Sequence, residues 1–237
     1  MKFALVDGQR REAEPHLSGT CPLDGHPMVA KCGEERARHW AHKGNHSCDP
    51  WWENETEWHR NWKEHFPKEW QEKIHHAEDG ERHIADVKTD KDWVIELQNS
   101  HIDPKERRSR DSFYKRIIWI VNGLRLKRDG PQFLKAWNAG VPISRNSNLR
   151  RVASVECGLL RKWMDSPSSI FFDFGGGKII WWVFHKTQTG QAYVTPLSNT
   201  DFIAAHRGGA TPFDEWANIV RDLATRCEEN IRRGRII

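Results

Sequence analysis

Residues 82–110 read "RHIADVKTDKDWVIELQNSHIDPKERRSR", and the fold is decided here. "RHIADVK" and "DWVIELQ" are strand-like runs separated by "TDKD", a good turn composition. Asp103-Pro104-Lys105-Glu106 then supplies an N-cap, a proline at the first helical position and an acid at the third, predicting a helix to about Arg116. Within the apolar runs stand Asp86, Glu96 and Gln98, where a strand interior favours Val and Ile. Buried acids lose hydration, so three such residues in short succession point to a task other than packing.

Side chains alternate along a strand, so Val94, Glu96 and Gln98 share one face while Trp93, Ile95 and Leu97 share the other. If Asp90, Lys91 and Asp92 form the turn, Thr89 faces Trp93 and Asp86 lies directly opposite Glu96. Opposed Cβ atoms are about 5 Å apart. Two carboxylates at that range can hold one divalent ion, and without one they resist being charged together. The plainer alternative is a salt-bridged hairpin surface with Lys88 and Lys91 as partners.

Upstream, "PWWENETEWHRNWKEHF" (50–66) predicts a helix. Trp58, Trp62 and Phe66 recur every four residues, and Asn54 with Glu57 forms a capping-box pattern. Glu55, His59 and Lys63 make a single polar stripe, facing either the carboxylates or solvent. "KIHHA" (73–77) is a further strand, and "IIWIVN" (117–122) is continuously apolar, as in strands buried on both faces. The order is helix, three strands, helix, strand. On the second helix Arg107, Arg110 and Tyr114 share a face, and a guanidinium fork suits phosphate oxygens.

Further on, "KRDGPQFLKAWNAGVPISRNSNLRR" (127–151) reads as a loose polar stretch. "SIFFDFGGGKIIWWVF" (169–184) reads as a hairpin about a glycine turn, with "QAYVTPL" (191–197) another strand. From Thr211 and Pro212 an amphipathic helix carries Phe213, Trp216, Val220, Leu223, Cys227 and Ile231 on one stripe, suited to covering the sheet or shaping a binding surface.

At 237 residues the chain has room for a proper core, and its formal charge of +4 is only mildly basic. Thirteen Trp, ten Phe and two Tyr can fill cores or stack on bases, packing being the commoner use. No signal h-region or run of about 18 apolar residues occurs, so the expectation is a cytoplasmic protein with no membrane segment.

Residues 21–48, "CPLDGHPMVAKCGEERARHWAHKGNHSC", hold three of the five cysteines among His26, His39, His42 and His46. An odd cysteine count and this crowding suggest metal ligation in a reducing compartment. The paired Cys-x-x-Cys knuckle is absent, because Asp24 stands where its second cysteine would be. The favoured zinc ligands are Cys21, Cys32, His42 and Cys48, with His26 or Asp24 able to replace Cys32. Such an ion is expected to be structural, holding a module too short to bury its own core.

"HWAH" (39–42), "ENETEWHRNWK" (53–63), "IADV" (84–87), "IELQNSHI" (95–102), "ERRSRDSFY" (106–114) and "IIWIVN" (117–122), in this order, resemble the competence-protein CoiA-like family of nucleases, a branch of the PD-(D/E)XK superfamily. The resemblance covers roughly residues 20–122 and implies a restriction-endonuclease-like α/β core of helix, three-strand meander, helix and strand. By resemblance, Glu55 and His59 fall on the first-helix motif, Asp86 on the aspartate, Glu96 on the acid of the E-x-K element and Gln98 on its lysine. A Gln there positions water but adds no charge; by the resemblance such a site either works with Gln or borrows a cation from elsewhere, with Lys63 or Lys88 available.

The resulting expectation has three parts: a zinc-binding module at 1–50, the nuclease core at 51–126, and a hairpin and amphipathic-helix extension at 127–237. The activity expected is Mg²⁺- or Mn²⁺-dependent DNA hydrolysis in DNA uptake, recombination or mobile-element defence. Asp86, Glu96 and the Leu97 carbonyl bind the ion, Glu55 helps hold it or its water, Gln98 orients the nucleophile, and His59 transfers a proton or hydrogen-bonds Glu55. Arg107, Arg110 and Tyr114 contact the DNA, and a second copy or a recombination or defence protein is a candidate partner. The alternative is a catalytically silent DNA-binding module that keeps the nuclease fold. A ββα-metal nuclease built on "HWAHKGNH" and "WHRNWKEH" ranks lower, since the Asp-His start of that motif is missing.

Overall fold

In the computed structural model, residues 1–34, 37–145, 147–184, 190–209 and 212–234 are described. They form a mixed α/β protein in two compact units, Met1–Lys115 and Arg116–Ile237.

The first unit opens with a hairpin, β1 (Phe3–Val6) and β2 (Gln9–Glu12), joined by Asp7-Gly8. Both turn residues have positive φ, 50° and 77°, which an Asp-Gly pair adopts readily in a two-residue hairpin loop. With β3 (Ser18–Thr20), β4 (Pro27–Lys31) and β5 (His39–His42) they make an antiparallel sheet in the order β2-β1-β3-β4-β5. This corrects the expectation that the segment is too short to bury a core: Ala4, Cys21, Met28 and Trp40 pack together, and the Trp40 indole donates to the Arg11 carbonyl at 2.9 Å.

Helix α1 (Glu57–Glu64) begins later than expected. Its N-cap is Thr56, and the capping box is closed by His59, not by Asn54 and Glu57. The His59 N–H donates to Thr56 Oγ1 (3.4 Å) and the Thr56 N–H donates to His59 Nδ1 (3.3 Å). The reason is electrostatic: Glu53 and Glu55 are drawn to His59 and Lys63, which leaves 53–55 outside the helix. Trp62 and Phe66 are buried as the spacing predicts.

A 3-10 turn (Lys68–Trp70) leads into an antiparallel meander of β6 (Gln71–His76), β7 (Arg82–Lys88) and β8 (Val94–Gln98). Next comes α2 (Pro104–Tyr114), capped by Asp103, whose carboxylate accepts the Lys105 N–H at 2.7 Å.

The second unit comprises β9 (Ile117–Asn122), α3 (Asp129–Ala139), β10 (Val141–Pro142), β11 (Arg150–Ala153), α4 (Gly158–Trp163), β12 (Ser169–Asp173), β13 (Ile179–Phe184), β14 (Gln191–Ser198), α5 (Asn199–His206) and α6 (Phe213–Arg232). Its strands run β10-β11-β14-β13-β12-β9, with β12 parallel to β9 and the other pairs antiparallel. The glycine hairpin is present, with Gly175, Gly176 and Gly177 all at positive φ. Helix α3 corrects the loose stretch at 127–151. Pro131 is tolerated in its first turn, and Phe133 and Ala136 anchor it inward. Thr211 lies outside the described residues. On α6 the buried residues include Phe213, Ala217, Ala224 and Cys227, whereas Leu223 and Ile231 of the expected stripe are exposed. Among the described residues, no helix is long and apolar enough to cross a membrane.

Candidate functional site

The register of the meander builds a row of acids. Val87 pairs with Ile95 and Lys88 with Val94, so Asp86 stands opposite Glu96 with the alternation and turn length the sequence predicts. Gln71 pairs with Val87 and Lys73 with Ala85, which sets Glu72 opposite Asp86 on the other side. Glu72, Asp86 and Glu96 thus lie across three adjoining strands. Glu72 has φ +45°, unusual for a residue other than glycine.

Cations from the two helices meet this row. Lys63 Nζ is 3.0 Å from each of Glu55 Oε2, Glu72 Oε1 and Asp86 Oδ1, and is buried. Arg110 Nη1 is 2.9 Å from Glu96 Oε2. Backbone amides take the remaining oxygens: Leu97 N–H donates to Asp86 Oδ2 (3.0 Å), Asp86 N–H to Glu96 Oε1 (3.4 Å), and Lys2 and Phe3 N–H to Glu72 (2.6 and 3.0 Å). Glu55 Oε1 is buried and has no hydrogen-bond partner among the described residues.

These contacts separate the acidities of the row. Burial opposes ionisation of Asp86, but the Lys63 ammonium, then His59, outweigh it and hold the carboxyl below the usual range. Burial and then the charge on Asp86 push Glu96 up to about 7, with Arg110 pulling the other way. Two neighbouring carboxyls of unlike acidity are the pattern of sites that move protons. Lys63, despite burial, is held well above its ordinary value by Glu72, Glu55 and Asp86.

His59 is fixed at both nitrogens. Nδ1 accepts from Thr56, so Nε2 carries the proton and donates to the Leu97 carbonyl (3.1 Å) and to Glu53 Oε2 (3.2 Å). The expected His59–Glu55 bond is replaced by His59–Glu53. Burial lowers the His59 affinity for a proton, and the Glu53 hydrogen bond more than restores it. Glu53 also accepts from Asn99 N–H and from the Gln98 side chain, the latter at 3.5 Å.

Glu53, Glu55, His59, Lys63, Glu72, Asp86, Glu96 and Arg110 line a single cleft with Trp51 and Trp52. Its cavity of ≈ 50 Å³ holds a few waters, or an ion with its waters, but not a nucleotide. Glu55, His59, Asp86 and Glu96 are therefore brought together as expected. Gln98 is buried on the Glu96 face but does not line the cleft; its amide is turned toward Glu53 and Ser100. Lys88 pairs instead with Asp92 at 3.3 Å.

The expected DNA-facing helix face is corrected. Arg107, Arg110 and Tyr114 do share a side of α2, but it is the buried side, exposed by 1%, 7% and 3%. Their long stems and ring pack inward while Arg110 spends its fork on Glu96, Glu106 and the Trp51 carbonyl.

Glu53, Glu72 and Asp49 were not marked by the sequence. Asp49 accepts the N–H groups of Trp51 and Ile84 at 2.9 Å each and contacts His83 Nδ1 at 2.8 Å. For Glu72 a signal existed: starting the strand at Gln71 rather than Lys73 adds a third acid to the row.

In the same unit, ligand atoms of Cys21, Asp24, His42 and Cys48 lie within 4.8 Å of one another, a cluster that could hold a metal such as zinc. Asp24 takes the place given first to Cys32, because the turn after Cys21 folds back: Gly25 N–H donates to the Cys21 carbonyl (2.8 Å) and Leu23 N–H to its sulfur (3.4 Å). Hydrogen bonding to Cys48, 3.5 Å away, brings the Cys21 thiol down to about 6. His46 Nε2 contacts Asp24 Oδ2 at 2.5 Å, and the His26 and His46 rings stack at 4.0 Å. His42 Nε2 is buried without a hydrogen-bond partner among the described residues.

No protein-family model, curated protein or solved structure matches this chain.

Proposed function

We propose that the chain is a divalent-metal-dependent DNA nuclease of the PD-(D/E)XK type, similar to the CoiA-like family. The observation that carries this is the row Glu72, Asp86, Glu96 with the Lys63 ammonium on Asp86. The order α1, three-strand meander, α2, β9 supports the same reading. Gln98 leaves the usual lysine position neutral, and Lys63, arriving from α1, is the replacement cation.

The cleft offers oxygen donors of the kind a hard cation takes: Glu55 Oε1 is buried without a hydrogen-bond partner among the described residues, whereas the oxygens of Asp86 and Glu96 and the Leu97 carbonyl would have to exchange their contacts with Lys63, Arg110, backbone amides and His59 for an ion. An ion held by these residues would supply activation of a water and shielding of the scissile phosphate. Lys63, kept protonated by its three carboxylate contacts, supplies the positive charge beside Asp86 that the neutral Gln98 does not. His59 holds the Leu97 carbonyl in place. The cell process is DNA uptake, recombination or mobile-element defence, as the resemblance implies.

Purified protein with Mg²⁺ or Mn²⁺ is expected to cut plasmid or linear DNA, and Asp86→Ala is expected not to. Equal cleavage by both overturns the reading.

One observation favours a second reading, a silent DNA-binding module: Lys63 and Arg110 already neutralise Asp86 and Glu96. Salt-sensitive DNA binding without cleavage in either metal decides for it.

The second cluster is proposed to hold structural zinc through Cys21, Asp24, His42 and Cys48, a closed four-ligand set.

A further inference from the structure

We propose that Trp52 is a nucleobase-stacking subsite at the mouth of the cleft, so that the preferred substrate presents an unpaired base beside the scissile phosphate: single-stranded DNA or a single-stranded flap. This rests on the nuclease reading of the cleft. The cavity is too small for a base or sugar, so a nucleotide whose phosphate reaches Asp86 and Lys63 must leave its base outside, along the rim. Trp52 lines that cleft and is 45% exposed, the sole aromatic among the strongly exposed large hydrophobic side chains of the described residues.

Its neighbour shows why the indole faces outward. Trp51 is turned in, stacked on His83 with ring centroids 3.3 Å apart and edge-on to Phe113. The Trp51 N–H donates to Asp49 Oδ1 (2.9 Å), the Trp51 carbonyl accepts from Arg110 Nη2 (2.5 Å), and the Trp52 N–H donates to the Asp49 carbonyl (3.2 Å). The peptide joining Trp51 to Trp52 is thus held at both its carbonyl and its N–H, which fixes where the Trp52 side chain leaves the backbone. In a duplex the faces of each base are covered by neighbours, so an indole face at this position is matched only by a base out of the stack. The cleft wall is rich in carboxylates, which weakens a grip based on phosphate charge alone, and stacking supplies one that tolerates any sequence.

The test compares wild type, Trp52→Phe and Trp52→Ala on a single-stranded oligonucleotide, a flap, a blunt duplex and a strand of equal length made of abasic residues. Cleavage in Mg²⁺ and binding by fluorescence anisotropy are both measured. For the single strand and flap, Trp52→Ala is expected to raise KM and Kd about tenfold, with Trp52→Phe recovering most of the loss. On the abasic strand wild type and Trp52→Ala should behave alike. An equal loss on base-containing and abasic strands, no loss at all, or a wild-type preference for blunt duplex overturns the proposal. If wild type cuts nothing, the nuclease reading fails by itself, and the anisotropy comparison still decides the stacking subsite.

Discussion

Lys63 Nζ lies 3.0 Å from Asp86 Oδ1, joining the buried face of α1 to the middle of the acid row. The same ammonium serves Glu55 and Glu72 at equal distance, so three acids share one side-chain cation. Lys63→Met should therefore lower stability by about 3–5 kcal/mol, read from chemical denaturation. Added Mg²⁺ should recover part of that loss by supplying the missing positive charge. A loss below about 1 kcal/mol, the scale of a surface pair, would show that the ammonium does not hold the row.

Asp86→Asn keeps the shape of the side chain while removing its charge. Cleavage in Mg²⁺ is expected to fall at least a hundredfold, about the weight of one transition-state contact, with the far-ultraviolet circular dichroism unchanged. Activity within about threefold of wild type, far below that weight, would remove Asp86 from the chemistry.

Glu96 and Glu72 act on stability in opposite directions with pH. Glu96 in the folded chain titrates at about 7, above the value near 4 of an unfolded carboxyl. Between those values the folded chain keeps a proton that the unfolded chain has released. The Glu96 contribution is thus complete below about pH 4 and lost as pH rises to about 7. Glu72 is buried, but Lys63 brings it down to about 2, so its contribution is complete above the unfolded value and lost as pH falls through about 2. The urea midpoint of wild type minus that of Glu96→Gln should decrease from pH 5 to pH 7. A difference independent of pH across that window contradicts the assignment.

Metal analysis of purified protein should find about one zinc per chain, as a four-ligand structural site requires. Cys32→Ser should retain it, while Cys21→Ser and Cys48→Ser should lose it. His46→Ala, which removes only the partner of Asp24, should weaken zinc binding about ten- to a hundredfold. Retention in Cys21→Ser with loss in Cys32→Ser would restore the first ligand set.

The central hairpin was legible because two local rules agree there: side-chain alternation and a three-residue turn set Asp86 opposite Glu96. The five-stranded sheet was not: Asp7-Gly8 and Asp24-Gly25 are turn patterns, but β1 to β5 are too short for an alternation to be read along them. Helix α2 shows a different limit. Arg107, Arg110 and Tyr114 visibly share a face, but nothing in the helix itself tells that this polar face turns inward; Glu96 and the Trp51 carbonyl, distant in sequence, decide that. Glu53 and Glu72 depend on the same kind of long-range partner.

Asp49 follows Cys48 directly in the chain, and its carboxylate grips Ile84, two residues before Asp86. Stripping an ion from the thiol cluster would therefore loosen the strand that bears the central acid. On the nuclease proposal, a broad chelator would then abolish cleavage by two routes at once, and only readdition of each metal separately would tell a lost reagent from a slackened frame.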